Sequence, residues 1–589
     1  MKTPFFLAVI ILISFQMTAL SQKCLPEGII FTTQAGIDNF HSNYPDCTEI
    51  EGDVGISGQD ISNLSGLDVL TSIGGHLLIW ENELLHNLMG LHNITTIGGS
   101  LLLGCFDFET WDTFYGNPAL KDLTGLNSLT YIGGNLQIVN NDSLINLTGL
   151  SSLTRVEKDL FIGVWGDDEQ LGNPRLINLA GLDNLNSIGG SLDIQFNENL
   201  ESLENLNHLT SIGGSVRISG TNKLVNLTGF NNLSIIPGDL EIGGQYSNNS
   251  SLNSLTGLEN LVSIGGSCLI SYNDVLTDFT GLNNLDKING DLTIGDSWGG
   301  NPSLTSLTGL GNLTLVKGKL SVLDNDALSS LGGINNLYRV EGGLELWNND
   351  DITSLTGLND LHFVGGTLRI YNNDALTSLS GLENLDSIGG SLTIGVIWGG
   401  SNPSLLSLEA LGSLKAIGGD LTIAYNDVLS DLEGLHNIGA ATIENICIVH
   451  NTSLYNCDVQ SICMYLTAPN GTIEIHDNYW GCDSQEEVEE GCGIVALEKF
   501  SGNTELSVYP NPASSQIIVD FTFDRPTVIC IEVLNSMGQV IATVQHQSHH
   551  SGEQQVTCDM EQLPAGVYYY RLTANSEQRM VTGKMVVIR

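Results

Sequence analysis

Six of the 66 acidic side chains of this 589-residue chain recur at one fixed place in a repeated phrase. Any chemistry they perform is therefore performed many times over or not at all. Asp follows Asn at Asp142, Asp274, Asp326, Asp350, Asp374 and Asp427. If the repeats stack as strands about 4.8 Å apart, like charges there repel by roughly 1 kcal/mol in a water-like dielectric. Calcium relieves such repulsion, because hard cations gather several carboxylate and carbonyl oxygens. Asx turns explain Asp at this place equally well. The chain lacks a calcium loop with its Gly and terminal Glu, so calcium is the one cofactor left open and no metal ligand is assigned. It also lacks an H-E-x-x-H pair and a phosphate loop. Carboxylate pairs are too abundant to mark a glycosidase. No catalytic residue is assigned.

Aromatic rings carry the sharper signal. Six of the seven Trp lie on one strip of the repeat, where Tyr246, Tyr272, Tyr371 and Tyr425 join them. Longer repeats place their additional residues on this strip too, at 104–116, 163–172, 243–248, 295–300 and 395–401. Variable loops on a constant scaffold are the usual home of binding residues. Exposed rings beside polar groups stack on sugars or anchor protein partners. The candidate ligand-binding residues are therefore Trp80, Trp111, Trp165, Trp298, Trp347, Tyr371 and Trp398. The competing reading is that these rings fold back over their own loop bases.

The scaffold that must hold them is legible as a period. An Ile or Val anchor, usually before a Gly pair, falls at 50, 73, 97, 132, 156, 188, 212, 236, 264, 288, 316, 340, 364, 388, 417 and 438. Eight of the fifteen spacings are 24 residues, and the longer ones run from 28 to 35. A unit this short buries its apolar side only by stacking on copies of itself, which predicts a solenoid. In each L-x-I strand the flanking residues point inward and the middle one outward. Asn recurs three residues before the next apolar anchor, from Asn82 to Asn451, with only Gly58 and Thr221 breaking the column. A polar column beside the core must be hydrogen-bonded, so an Asn ladder is expected. Gly pairs such as Gly189 and Gly190 are expected to turn the chain at positive φ.

The ends differ from the middle. Residues 1–21 read as a signal peptide, with Lys2, an apolar run and Ala19-Leu20-Ser21 before the cleavage point. Lys23 before Cys24 argues against lipidation, and no transmembrane helix is expected. Residues 22–49 form an N-terminal cap, 50–454 the solenoid of about 16 turns and 455–493 a Cys-rich C-terminal cap. In an exported chain, Cys24, Cys47, Cys457, Cys463, Cys482 and Cys492 are disulfide candidates that staple these caps, with the downstream connectivity open. Helices over 458–466 and 484–490, capped by Asp458 and Ser484, are expected to cover the last turn. Cys268 takes an inward Leu position. A net charge of −46 excludes nucleic acid and anionic membrane as partners. After a linker at 494–505, residues 506–589 alternate as a small antiparallel β-sandwich.

Two segments resemble known families. The phrase Leu-Thr-Gly-Leu-x-x-Leu-x-x-Ile-Gly-Gly-x-Leu-x-Ile, seen at 255–270 with Cys268 at its last Leu place, resembles the receptor L domain of insulin- and growth-factor-type receptors. From Asn373 to Leu376 the interval is three residues, where ordinary leucine-rich repeats use two. This resemblance implies a right-handed parallel β-helix-like solenoid that binds proteins or glycans. The chain departs from the receptors in having many more turns and unrelated caps, so their ligands do not carry over. At the C-terminus, Tyr509-Pro510-Asn511-Pro512, Gly538, Gly566 and Gly583-Lys584 resemble the sorting domain of type IX secretion substrates. That implies handling by the type IX machinery, then surface attachment or release.

The expected molecule is an all-β, secreted or surface-attached, non-catalytic binding or adhesion protein for a glycan or protein ligand. A polysaccharide-degrading enzyme and a passive structural coat are the alternatives. Against a uronate lyase, Arg217 and Arg369 stand isolated in their strand column.

Overall fold

A computed structural model describes residues 23–104, 116–166, 169–245, 247–396, 400–494, 507–523, 528–535, 539–547, 552–574 and 579–588. The expected signal peptide, Trp111, Tyr246, Trp398, Gly538 and nearly all of the linker lie outside them. The chain divides into two compact units, meeting at Val488 and Glu489.

The first unit is the expected parallel β-solenoid. Its main ladder holds eighteen strands, each in register with the next, from Ile29–Phe31 through Leu77–Ile79 and Leu368–Tyr371 to Ile473–His476. The anchors marked sixteen turns; the two further rungs lie in the segments read as caps. The Leu and Ile columns are buried to within a few per cent, and Cys268 takes its place among them. Each rung thus hides its apolar side on its neighbours. Five middle residues, Gly55, Gln137, Asp193, Ser321 and Glu345, are buried where exposure was expected.

The Asn ladder is present. Except at Asn197, each Asn Nδ2 donates to the Oδ1 of the next Asn, as from Asn301 to Asn325 at 3.1 Å, and also to a strand carbonyl, as from Asn301 to Ile270 O at 2.9 Å. Side-chain links run from Asn82 to Asn197 and resume at Thr221, whose hydroxyl donates to Asn249 Oδ1 at 2.8 Å. They end at Asn478, which accepts from Asn451 at 3.0 Å and sits in a turn without the Leu-rich phrase.

The Gly pairs depart from expectation. Gly189 and Gly190 are not at positive φ. Glycine is needed there because a Cβ on Gly189 would lie 2.0 Å from Glu157 O of the rung before. Positive φ belongs to the Gly of Thr-Gly-Leu, as at Gly149 with φ 122°.

The two-residue anchor strands form a second parallel column, broken into two eight-stranded sheets between Ile212 and Ile235. The cause is local. In the preceding rung Gly213 N donates to Ile188 O at 3.0 Å, and in the following one Gly265 N donates to Ile236 O at 2.8 Å. The corresponding residue between them is Pro237, which has no N–H to offer Ile212 O.

Disulfides join Cys24 to Cys47 and Cys457 to Cys482, and Cys463 and Cys492 are also disulfide-bonded. Helix Gln460–Thr467 has Val459 as its N-cap, without a side-chain bond, so Asp458 does not cap it. Ser484 does cap helix Gln485–Gly491, accepting from Glu487 N at 3.2 Å.

The second unit is antiparallel, with a three-stranded and a four-stranded sheet sharing a core that includes Ile517, Val519, Ile531, Val533 and Met585. Its motif residues are structural. Asn511 donates to Lys584 O and accepts from Val586 N, both at 2.9 Å, and Tyr568 OH donates to Pro564 O at 2.8 Å. A Cβ on Gly583 would meet Tyr570 OH at 2.2 Å, which explains the Gly beside Lys584. Tyr509, between Ser507 and cis Pro510, bonds Asp520 through its hydroxyl. Gly566 opens strand Gly566–Ala574, and Pro512 lies between strands Ser507–Tyr509 and Gln516–Phe523.

Candidate functional site

A standard rung leaves its L-x-I strand by one ordinary residue and one left-handed residue before the ladder Asn. Glu81, Asn140, Phe196, Tyr272, Asp324, Asn348, Asn372, Tyr425, His450 and Asp477 occupy the left-handed place, all with φ of 55–58°. Rungs with insertions instead place Gly directly after the strand, at Gly104, Gly163, Gly243, Gly295 and Gly395. The backbone thus starts every insertion at the same edge of the solenoid.

Two of these insertions bound a recess. One is a hairpin, strand Val164–Gly166 paired antiparallel with Glu169–Leu171, and the other is the loop at 243–248. The rungs between them, Leu192–Gln195 and Val216–Ser219, carry no insertion and form the floor. Adjoining hollows of about 320, 190 and 240 Å³ share Phe196, Ser247, Arg217 and Glu241. Trp165 of the hairpin lies over Phe196, with ring centroids 5.7 Å apart and an interplanar angle of 43°. The 320 Å³ hollow is lined by Gln170, Glu198, Asn222, Ser247, Asn248 and Ser250 around Phe196 and Gly220. Amides, hydroxyls and one carboxylate thus surround an aromatic floor.

Charge is organised along the same face. Arg217 bridges two carboxylates from adjacent rungs, Nε to Glu241 at 2.7 Å and Nη1 to Asp193 at 3.2 Å. Asp193 also accepts from Gln195 Nε2 at 2.6 Å. Burial, opposed by Arg217, pushes the Asp193 carboxyl up to about 6. A second cluster sits farther along: Glu345 takes Lys319, Arg369 at 3.6 Å and the Tyr371 hydroxyl at 3.1 Å. Burial there would raise the Glu345 carboxyl, but Lys319 and Tyr371 hold it below its ordinary value. Arg217 and Arg369 are therefore not isolated, as the sequence suggested, but already neutralised by carboxylates.

The proposed aromatic residues do not form one site. Trp347 stacks on Tyr371 at 5.9 Å and 18°. Trp80 lies across the preceding rung, where a Cβ on Gly55 would stand 3.2 Å from its ring. Tyr272 lies beneath Gly299 in the same way, at 2.6 Å, and Tyr425 stacks on His450 at 4.6 Å. Trp298 is 79% exposed. Trp80 and Trp347 stand ten rungs apart, about 48 Å at the usual strand spacing. Folding back thus accounts for Trp80 and Tyr272, while Trp165 faces the recess beside Phe196. Phe196, Arg217, Glu241 and Gln170 were missed, and the Gly-after-strand rule was the signal that could have located the two walls.

The carboxylates of the Asp column do not converge: among the described residues, the one group able to bring three ligand atoms within 4.8 Å is His450, His476 and Asp477. Asp350 and Asp326 have raised carboxyl pKa values, from burial first and then from neighbouring acids such as Asp374 and Asp324. The electrostatic cost expected of stacked carboxylates is thus visible.

Two family models match the chain. The Receptor L domain matches residues 184–263, which include Asp193, Phe196, Arg217 and Glu241. The Secretion system C-terminal sorting domain matches residues 507–588. A search of curated proteins found no match. The chain carries receptor-L-type solenoid repeats and a type IX sorting tail, which indicates a secreted or outer-membrane surface-attached protein. The tail implies interaction with the secretion machinery. Neither family is typical of enzymes. No helix among the described residues is long and apolar enough to cross a membrane.

Proposed function

We propose that this protein is a non-catalytic binding protein of the cell exterior, and that it holds a glycan in the recess between the 164–171 hairpin and the 243–248 loop. The observation that carries the reading is Trp165 over Phe196, walled by Gln170, Asn222, Ser247 and Asn248. A sugar presents an apolar C–H face and a rim of hydroxyls. The recess offers a ring for the first and amides and hydroxyls for the second. A passive coat needs no such recess.

The enzymatic alternative would use Asp193 and Glu241 as an acid–base pair, since their rungs flank that of Arg217. Three features disfavour it. Asp193 is only 7% exposed, both carboxylates are tied to Arg217, and Gln195 takes a further Asp193 oxygen. A panel of polysaccharides and oligosaccharides, printed for binding and assayed in solution for new reducing ends, separates the readings. Saturable binding without cleavage is expected. Turnover abolished by Asp193→Asn or Glu241→Gln would replace this proposal with the enzymatic one.

A further inference from the structure

The last two rungs hold a cluster that neither matched family model covers, as it lies outside residues 184–263 and 507–588. His450 ends the rung of strand Ile446–Val449, and His476 and Asp477 end the rung of strand Ile473–His476. His450 and Asp477 both occupy the left-handed place, with φ of 56° and 55°. The backbone brings the rungs together, with Val449 in register with His476 and His450 N donating to His476 O at 3.2 Å. As a result both imidazoles turn Nδ1 toward one atom, Asp477 Oδ2, at 3.6 Å from His450 and 2.8 Å from His476.

We propose that His450 Nδ1, His476 Nδ1 and the Asp477 carboxylate bind a divalent transition-metal ion of the zinc class. The ion joins rung seventeen to rung eighteen and leaves one position to water. Two imidazoles and one carboxylate suit zinc better than calcium, which prefers an all-oxygen shell. The ligand atoms lie within 4.8 Å of one another. Tetrahedral bonds of about 2.0–2.2 Å need ligand atoms roughly 3.4 Å apart, a closure that small side-chain rotations supply. The surroundings fit as well. His476 Nε2 faces Glu474 Oε1 at 3.2 Å, the carboxylate partner that ligating histidines commonly have, and it leaves Nδ1 as the metal-facing nitrogen. Tyr425 stacks on the His450 ring at 4.6 Å and fixes its plane. All three ligands are open enough to solvent for an ion to enter. The Cys447 thiol, three residues before His450, lies 3.7 Å from Glu474 Oε2 and is not one of the ligands.

The test is titration of the full secreted chain, without a polyhistidine tag, with Co²⁺ followed by Zn²⁺, read by visible absorption and calorimetry. One equivalent of Co²⁺ should bind with a nitrogen–oxygen ligand field and be displaced by Zn²⁺ but not by Ca²⁺. His450→Asn and Asp477→Asn keep a residue that tolerates the left-handed backbone, so both should fold. Each should weaken Zn²⁺ binding by at least tenfold, while Cys447→Ser leaves it unchanged. Absence of saturable binding, or equal binding by His450→Asn and Asp477→Asn with native circular dichroism, would overturn the site.

Discussion

At the residue scale, Thr221 shows what one side chain does to a repeating structure. It is fully buried in the Asn column, and its hydroxyl continues the chain of bonds in one direction only. Asn197 on the preceding rung keeps its carbonyl partners, Ile162 O and Gln195 O, but has no ladder bond to Thr221. Thr221→Asn should restore that rung and raise stability by about 1 kcal/mol, the net worth of a buried hydrogen bond. Denaturant unfolding of the variant beside the parent checks it, and a lowered midpoint would show that the larger side chain is not accommodated. Asp193 yields a pH prediction. Its carboxyl pKa is raised in the fold to about 6 from an ordinary 3.8. Between those values the native state therefore binds more protons than the unfolded chain, and this group's contribution falls as pH rises, levelling off above 6. Removing the carboxyl in Asp193→Asn should flatten that part of the stability–pH profile. A profile that declines equally in both proteins would locate the titration elsewhere.

The elements were the most legible part of the sequence, because a stacked rung imposes the same demand at every copy. The inward Leu and Ile columns, the Asn ladder and Cys268 in a Leu place all follow from period and burial alone. Where the reading failed, the cause lay in contacts between rungs, which a single repeat does not display. The Gly pairs are small to let neighbouring backbones approach, and the left-handed place is filled by Phe196, Tyr425 or His450 as readily as by Asn. Pro237 was equally invisible as a defect, since its effect is a bond missing from Ile212 on another rung. Pro237→Asn should join the two anchor sheets, because Asn289 at the corresponding place donates to Ile264 O at 3.0 Å. Hydrogen exchange should then reveal a newly protected amide at residue 237. Exchange at the rate of an open loop would mean that the split has a cause other than the proline.

At the scale of the whole molecule, the solenoid turns a one-dimensional list of insertions into a surface. Eighteen rungs at the usual strand spacing extend about 80 Å, so the aromatic candidates cannot act as one site. The sequence revealed which edge carries the loops but not which loops face each other across uninterrupted rungs. That depends on the order of long and short repeats, and the run from 163 to 248 encloses a recess around Phe196. Contacts between nearest neighbours also keep a change at this recess from reaching distant rungs. The most direct measurement is a binding isotherm for a glycan selected from the panel, taken with the parent, Trp165→Ala and Trp298→Ala, each beside its thermal melt. The account predicts that Trp165→Ala loses about 1–3 kcal/mol of affinity, as for an aromatic anchor, while its melt and the affinity of Trp298→Ala stay near the parent. Undiminished affinity in Trp165→Ala, or a loss confined to Trp298→Ala, would contradict the placement of the ligand in this recess.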